Sequence, residues 1–381
     1  MTKVKVRLLD LIFVFLKIGT FGFGGGPAML AMIRENLVRK KRWISDEELS
    51  VAVAMGQMLP GPFVPNYVQY IGFRLRGLKG AIVSGVAFLL PCFSLMVLLS
   101  FLYFRFSMIP GLQSVFKGVG PAVTALILWA TFEIGKTSLK DWRGIIIGVF
   151  AFLCLMLKND VLLTILACGL LGMAFYSRFR NITPLCVLLP FLNSAVCNFS
   201  HGWTRMFISM GKNLELGYIF FKIGAIIFGG GFAAIPFIKN EVVELRHWLT
   251  AKEFIDGVAL GQITPGPVAI TATFVGYKVS GIIGAIIATV AIFLPSFLML
   301  IGLLHIYERI KEHSLVVSFL KGVRPAIVGM LLSAGLFIAR NAIIDVKSGL
   351  LALLGLLVLW RFRLDPIWLI LAGGVLGFVL V

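Results

Sequence analysis

The chain has 381 residues, of which 59% are hydrophobic and 14% charged, and its formal net charge is +18. Together with a mean hydropathy of +0.99, this composition excludes a soluble globular domain and is typical of a polytopic membrane protein. The basic residues lie in short loops between apolar runs, which is how membrane topology is encoded, so we expect no nucleic-acid partner. We predict an all-α, multi-pass protein of the inner (plasma) membrane.

Apolar runs follow one another along the whole chain. A spanning helix needs about 20 residues, so the longer runs can span with tilt or contain a break, and runs of about 13 to 17 residues are marginal. The runs cover 8–33, 47–72, 80–104, 116–136, 144–157, 160–176, 182–199, 214–238, 251–277, 283–306, 318–339, 348–360 and 366–381.

The first run is interrupted by the sequence FGFGGGPAM at 21–29. A helix from Arg7 to Gly22 measures about 22 Å, which puts the glycines near the middle of a hydrocarbon core about 30 Å thick. Pro27 pre-sets the first turn of a new half-helix. The free N–H groups and the positive dipole end of that half-helix predict a site for an anion.

The second run carries a helix start and a second break. Ser45 and Glu48 form a capping-box pattern, and Trp43 just before them suits the membrane interface. A helix that begins at Ser45 extends about 21 Å to the sequence LPGP, where Pro60 and Pro62 end it. Because unpaired backbone groups cost several kcal/mol each in lipid, such breaks persist only beside protein or a water-filled cavity.

The second half of the chain repeats these patterns. KIGTFGFGGG (17–26) returns as KIGAIIFGGG (222–231), WISDEEL (43–49) as WLTAKEF (248–254), and GQMLPGP (56–62) as GQITPGP (261–267). The predicted organisation is a first repeat at 1–177, a linker at 178–213 with part of a candidate extra membrane crossing at 182–199, and a second repeat at 214–381. Half-repeats with broken helices are typical of secondary transporters, in which the breaks meet at the membrane midplane around the substrate.

The basic loops indicate that the two repeats have inverted topology. Loop 34–42 carries five basic residues, whereas its counterpart at 239–252 carries three basic and two acidic residues, so the positive-inside rule puts the two loops on opposite sides. Two arrangements of the broken runs stay open, because each run either spans the membrane or enters, breaks and returns.

Four breaks in corresponding places predict one shared substrate cavity. Lys17 and Lys222 recur inside apolar runs, where an ionisable group either serves function or snorkels towards the interface. Gln57 and Gln262, one turn before each PGP, either donate to a bound oxyanion or satisfy the broken backbone. The predicted substrate-binding residues are Lys17, Gly24, Gly25, Gly26, Pro27, Gln57, Pro60, Gly61, Pro62, Lys222, Gly229, Gly230, Gly231, Gln262, Pro265, Gly266 and Pro267.

The two repeats differ at one position of this pattern, because Phe232 stands where the first repeat has Pro27. We therefore expect the second glycine cluster to bind more weakly or only to pack. Glu133 and Asp256 are the remaining acids near membrane segments; they either couple protons or are solvated at loop ends, and we favour solvation.

We expect no enzyme activity, cofactor or metal site. The five cysteines lie in apolar segments without a CxxC spacing, and the four histidines show no paired spacing. The sequence contains no GxSxG, HExxH or GxGxxG pattern.

The segments FGGGPAM, WISDEEL and GQMLPGP, with the repeat of each, resemble the chromate ion transporter family in its long form with two homologous domains. The resemblance implies a secondary transporter that exports chromate, a tetrahedral oxyanion, across the plasma membrane and confers chromate resistance, with proton coupling as a candidate energy source. Its partners would be chromate or a related oxyanion, membrane lipids and candidate protons, with a homodimer as a candidate assembly. The alternatives are transport of sulfate or another oxyanion, and a lipid-handling membrane protein.

Overall fold

The computed structural model describes residues 6–23, 25–106, 109–177, 211–228, 230–303, 314–362 and 364–380. Within these ranges the chain forms fourteen α-helices and no strand, which confirms the all-α prediction. Gly24, Gly229, most of the predicted linker and the candidate crossing at 182–199 lie outside the described residues.

The helices of the first repeat are α1 Leu8–Phe21, α2 Gly25–Ile33, α3 Asp46–Met58, α4 Phe63–Phe106, α5 Pro110–Ser138, α6 Trp142–Met156 and α7 Val161–Tyr176. Those of the second repeat are α8 Lys212–Ile226, α9 Ala234–Lys239, α10 Ala251–Ile263, α11 Thr271–Leu303, α12 Ser314–Ala342, α13 Val346–Phe362 and α14 Pro366–Leu380. Four of the described helical stretches are long and apolar enough to cross a membrane, namely Phe63–Phe106, Gln113–Ser138, Val268–Gly302 and Ser314–Ala342.

Both predicted capping boxes are present. The Glu48 backbone N–H donates to the Ser45 hydroxyl at 3.1 Å, and the Ser45 N–H donates to the Glu48 carboxylate at 3.0 Å. Thr250 and Glu253 repeat this exchange at the start of α10. These boxes satisfy otherwise free N–H groups of α3 and α10 and fix where each helix begins.

The second broken run of each repeat folds back on itself. The Arg74 guanidinium contacts the Glu48 carboxylate at 3.1 Å, so the start of α3 lies beside a residue well into α4. Lys278 contacts Glu253 at 2.7 Å in the same way. The run 47–72 therefore forms a helical hairpin with PGP at its tip.

The first broken run of each repeat also forms a hairpin. In the second repeat, Arg246 follows the helical segment that returns from the glycines. It contacts Glu215 on the incoming helix α8 at 2.7 Å. In the first repeat the corresponding positions are Asp10 and Lys41, and Leu11 of α1 packs in the same buried hydrophobic cluster as Leu37, which follows α2. Gly25 and Gly26 lie at the tip of the first of these hairpins, and Gly230 and Gly231 lie at the tip of the second. We number the four hairpins 1 to 4 in chain order.

A sharp turn divides α4 into a short return arm, 63–75, and a long arm, 78–106. At the turn Gly77 has φ +64°, a conformation that favours glycine, and Gly281 with φ +60° makes the same turn in α11. The two arms pack closely beyond each turn. A Cβ placed on Gly276 would lie 2.2 Å from the Gly284 carbonyl oxygen.

The long arm of α4 connects the two repeats. Its start lies just after Arg74, whose ion pair with Glu48 closes the open end of hairpin 2, which is the end opposite the tip. At its far end the Phe104 ring lies 4.8 Å from the Phe274 ring and 5.0 Å from the Lys278 ammonium. Lys278 closes the open end of hairpin 4. At 1.5 Å per residue, from residue 78 to Phe104, the two open ends are therefore about 39 Å apart along this helix.

The close packing of the α11 arms predicts a stability difference between two glycine substitutions. Gly276→Ala forces a methyl group against backbone and should destabilise the protein by about 2 kcal/mol, the cost of overpacking. Gly302→Ala meets no atom within 4 Å and should leave the melting temperature in detergent unchanged or slightly raised. Equal melting temperatures for the two variants would contradict this packing.

Candidate functional site

The tips of all four hairpins line one cavity of about 420 Å³. The predicted site residues that line it are Gly26, Pro27, Pro62, Gly230, Gly231, Gln262, Gly266 and Pro267. The structure therefore brings together residues from all four breaks, the first and last of which lie more than 200 positions apart in the sequence.

The tips also touch one another across the repeats. The Phe63 ring lies between Gly26 and Gly230, and a Cβ on either glycine would lie 2.4 Å from that ring. Gly230 also has φ +102°. Both the lack of room for a Cβ atom and the backbone conformation at this position therefore require glycine. The Gly61 N–H donates to the Ile227 carbonyl at 2.5 Å, which satisfies a backbone group at the tip of hairpin 2.

The contacts behind the two PGP tips are reciprocal. A Cβ on Gly61 would meet Ser296 of the second repeat, and a Cβ on Gly266 would meet Cys92 of the first repeat. Gly61 corresponds to Gly266, and Cys92 corresponds to Ser296, in the alignment of the repeats. Each repeat thus completes the tip of the other.

Helix starts at the cavity offer free backbone donors. α2 begins at Gly25, with Pro27 in its first turn, and α4 begins at Phe63, directly after Pro62. The first four N–H groups of a helix have no partner within it, and the aligned peptide dipoles favour an anion there. In the second repeat, one 3₁₀ turn stands at each corresponding position, Gly231–Ala233 and Val268–Ile270, and leads directly into α9 and α11 respectively.

The two predicted glutamines differ in their surroundings. Gln262 lines the cavity, and its side-chain amide nitrogen is buried without a hydrogen-bond partner in the protein. Gln57 instead is exposed and does not line the cavity. An unpaired buried donor is costly, so Gln262 is the side chain that a bound acceptor would satisfy.

Neither predicted lysine lines the cavity. Lys17 is exposed on the outer face of α1. Lys222 bonds to Glu241, which also bonds to Arg246, and Arg246 bonds in turn to Glu215. The second repeat thus holds a largely buried four-residue charge network, which we call the α8 network. The substrate-binding role of both lysines stays a prediction that this geometry does not favour.

The first repeat lacks this network at the corresponding positions. Asn36 stands where the second repeat has Glu241, and its side-chain amide donates to the Met32 carbonyl at 2.8 Å. Lys17 consequently has no equivalent of the Glu241 carboxylate.

The remaining predicted residues lie at or beside the tips without lining the cavity. Pro60 lines a separate apolar cavity of about 340 Å³ together with Met173 of α7. Gly25, Gly61 and Pro265 are absent from the lining of the shared cavity.

The cavity also contains residues that the motifs did not indicate. Trp129 comes from α5 and Asp365 precedes α14, while Thr264 lies inside the GQITPGP pattern itself. Glu133 lines the cavity too, and both Glu133 and Asp365 are exposed. No lysine or arginine of the described residues lines the cavity, so its attraction for an anion would come from backbone and amide dipoles.

Asp256 has a different environment from the one we predicted. It is only 2% exposed and accepts a hydrogen bond from the Tyr103 hydroxyl at 2.7 Å. Loop-end solvation is therefore wrong for Asp256, because the residue lies in the packed interface between α10 and α4.

A membrane protein made of two copies of one unit, with four hairpin tips around a single cavity, has the architecture of a secondary transporter. The sequence profile of the family described as "Chromate transporter" matches residues 9–173 and again residues 214–378. The chain therefore belongs to the chromate transporter family, with two family domains.

Similar proteins extend over nearly the whole chain. A chromate transport protein of Cupriavidus metallidurans is 33% identical over 379 residues, which cover 98% of this chain and 93% of that protein. A chromate transport protein of Pseudomonas aeruginosa is 33% identical over 377 residues, covering 96% and 90%. An uncharacterised transporter of Methanocaldococcus jannaschii is 30% identical over 381 residues, covering 98% and 94%. No solved structure matches the chain.

The α8 network predicts a stability difference between the repeats. Glu241→Ala leaves Lys222 and Arg246 without their shared counter-charge and should destabilise the protein by about 3 kcal/mol. Asn36→Ala, at the corresponding position, removes one hydrogen bond and should cost about 1 kcal/mol. Thermal unfolding in detergent measures both. A larger shift for Asn36→Ala would show that the network does not stabilise hairpin 3.

Proposed function

We propose that this protein is a secondary transporter, not an enzyme, that exports chromate through the cavity between the four hairpin tips. The observation that carries the proposal is the meeting of all four breaks around one cavity, with the unpaired Gln262 amide among its lining groups. Family membership supports chromate as the substrate, and two similar proteins are named chromate transport proteins.

The groups at the cavity suit a tetrahedral dianion. Free N–H groups at the starts of α2 and α4 converge on the cavity with the Gln262 amide, so several donors can each contact one oxygen. Dipoles without a fixed cation bind a dianion less tightly than an ion pair does, and a transporter must release its substrate on the far side.

The membrane potential supports export. Moving one charge through 100 mV is worth about 2.3 kcal/mol, so an inside-negative membrane favours outward movement of a dianion by about 4.6 kcal/mol. Net export lowers the cytoplasmic chromate concentration, which is how the transporter would confer resistance. Inward-moving protons are the candidate coupling ion.

Inverted topology of the two repeats is part of the proposal. The open end of hairpin 2 lies at the start of the long arm of α4, and the open end of hairpin 4 lies beside its far end, as the contacts of Arg74 and Lys278 indicate. A separation of about 39 Å along this arm is long enough to cross the bilayer. The basic cluster around Arg74 then faces the cytoplasm and Lys278 faces outwards, consistent with repeats at 1–177 and 214–381 joined by 178–213.

The substrate test uses purified protein in proteoliposomes with chromate, sulfate and molybdate, each outside vesicles with an imposed potential. We expect chromate movement that depends on the protein and on the sign of the potential. Sulfate movement at an equal rate would assign the protein to sulfate or general oxyanion transport, because both are tetrahedral dianions. Absence of any oxyanion movement, with phospholipid scrambling instead, would favour the lipid-handling alternative.

The two glutamines predict an asymmetric effect on transport. Gln262→Ala removes a donor to the bound oxyanion and should raise the KM for chromate about tenfold, equivalent to about 1.4 kcal/mol. Gln57→Ala is the matched control in the first repeat and should change the KM less than about threefold, since Gln57 is exposed and does not line the cavity. Initial rates in proteoliposomes measure both. The reverse order of effects would place the substrate near hairpin 2 instead.

Inverted topology predicts opposite accessibility of two corresponding exposed residues, Lys40 and Leu245. In a background whose five native cysteines are replaced by serine, we expect Leu245→Cys to react with a membrane-impermeant maleimide in intact cells. Lys40→Cys should react only after the membrane is opened. Labelling of both variants from the same side would exclude inverted repeats.

A further inference from the structure

Asp256 is a buried ionisable group that does not line the cavity and forms no salt bridge among the described residues. Asp256 lies on α10 and is 2% exposed, and its carboxylate accepts a hydrogen bond from the Tyr103 hydroxyl at 2.7 Å. Asp256 belongs to the second repeat and Tyr103 to the first. The pair therefore lies in the interface that must rearrange if the two repeats move relative to each other.

The surroundings of Asp256 are apolar. The Tyr103 ring packs against Phe104 and Phe116 at 5.1 Å and against Phe274 at 5.3 Å. A carboxylate in such a place loses its water, and one phenol hydrogen bond compensates only part of that cost. Binding a proton removes the charge and the cost together.

The charged neighbours of Asp256 partly offset one another. The titratable groups that act on it are Tyr103 from α4 and Lys252 and Glu253 from the first turn of its own helix. Glu253 is itself paired with Lys278 of α11 at 2.7 Å. Neither neighbour on α10 forms a salt bridge with Asp256 among the described residues, so no fixed cation holds the carboxylate in its ionised form.

Asp256 lies between the open end of hairpin 4 and the cavity. Glu253, at the open end, precedes it by one helical turn, and Gln262, at the cavity, follows it by about 9 Å along the same helix. The first repeat has Val51 at the corresponding position, so this route exists in hairpin 4 and not in hairpin 2.

We propose that Asp256, positioned by Tyr103, is a proton-binding site that couples inward proton movement to chromate export; this inference rests on the proposed function. A proton entering at the open end of hairpin 4 binds Asp256 and neutralises its carboxylate. The charge-assisted hydrogen bond from Tyr103 is then replaced by a weaker one, which loosens α10 from α4. Release of that proton to the cytoplasm restores the carboxylate, so each cycle carries one proton in and one dianion out.

The test measures two activities of the full chain in proteoliposomes. A trapped pH dye reports chromate-dependent proton movement, and counterflow of labelled chromate at equal pH on both sides reports exchange that needs no net proton movement. Asp256→Asn keeps the shape and polarity of the side chain but cannot release a proton. We expect it to lose proton movement about tenfold or more while counterflow stays within about twofold of wild type.

Two further variants separate coupling from packing. Tyr103→Phe should keep proton movement but shift its half-maximal rate to higher pH, because the ionised carboxylate loses a donor. Asp141→Asn is the matched control: Asp141 also accepts a tyrosine hydrogen bond, from Tyr176 at 2.5 Å, but both residues belong to the first repeat. That hydrogen bond holds the pKa of Asp141 below its ordinary value, and we expect the variant to behave as wild type.

Several outcomes would overturn the inference. Normal proton movement by Asp256→Asn would show that another group carries the proton. Loss of counterflow together with proton movement would show that Asp256 only positions α10, and an equal loss in Asp141→Asn would show that the effect is not specific to the interface. Chromate movement without protons in the wild type would overturn the inference alone, whereas absence of any chromate movement would overturn the proposed function.

Discussion

The whole arrangement depends on backbone groups that interrupted helices leave unpaired inside an apolar protein. Such groups cost several kcal/mol each in lipid, so a break survives only where another element supplies a partner or a polar cavity. Here the tip of hairpin 2 donates its Gly61 N–H to the Ile227 carbonyl of the other repeat. Phe63 fills the space between the glycines of hairpins 1 and 3. The hairpin tips approach one another because they satisfy each other's backbone groups, and the cavity is the space left between them.

The two repeats have the same backbone fold but differ in their charged residues. The second repeat carries the α8 network and the buried Asp256, whereas the first has Asn36 and Val51 at the corresponding positions. The ion pairs of the first repeat, such as Arg34 with Asp46, are largely exposed, and exposed pairs add little stability. The buried ionic chemistry is therefore concentrated in one half of a symmetric fold.

Features written in local sequence were predictable. Ser45 with Glu48, and Thr250 with Glu253, mark helix starts because each hydroxyl caps a backbone group three residues away. The glycine clusters and PGP turns mark breaks because proline removes a donor. Where Phe232 stands in place of Pro27, the second repeat forms one 3₁₀ turn before α9; weaker binding at this glycine cluster stays a prediction.

Features that depend on long-range packing were not predictable. Lys17 and Lys222 occupy corresponding positions, yet one is exposed and the other bonds to Glu241, which comes from a later segment. Asp256 is a similar case, because only the approach of Tyr103, 153 positions earlier, buries it. Spacing within one helix carries no information about which distant helix covers it.

The contacts of Gly61 with Ser296 and of Gly266 with Cys92 are reciprocal. They indicate that the functional unit is the pair of repeats and not a single repeat. Each repeat presents a tip that it cannot cover and a long helix that covers the tip of its partner. A single repeat therefore carries both halves of one complementary interface on its own surface, and pairing with a second copy would cover both. Fusion into one chain makes that pairing intramolecular, which fixes its ratio at one to one and leaves each repeat free to lose chemistry that the other retains.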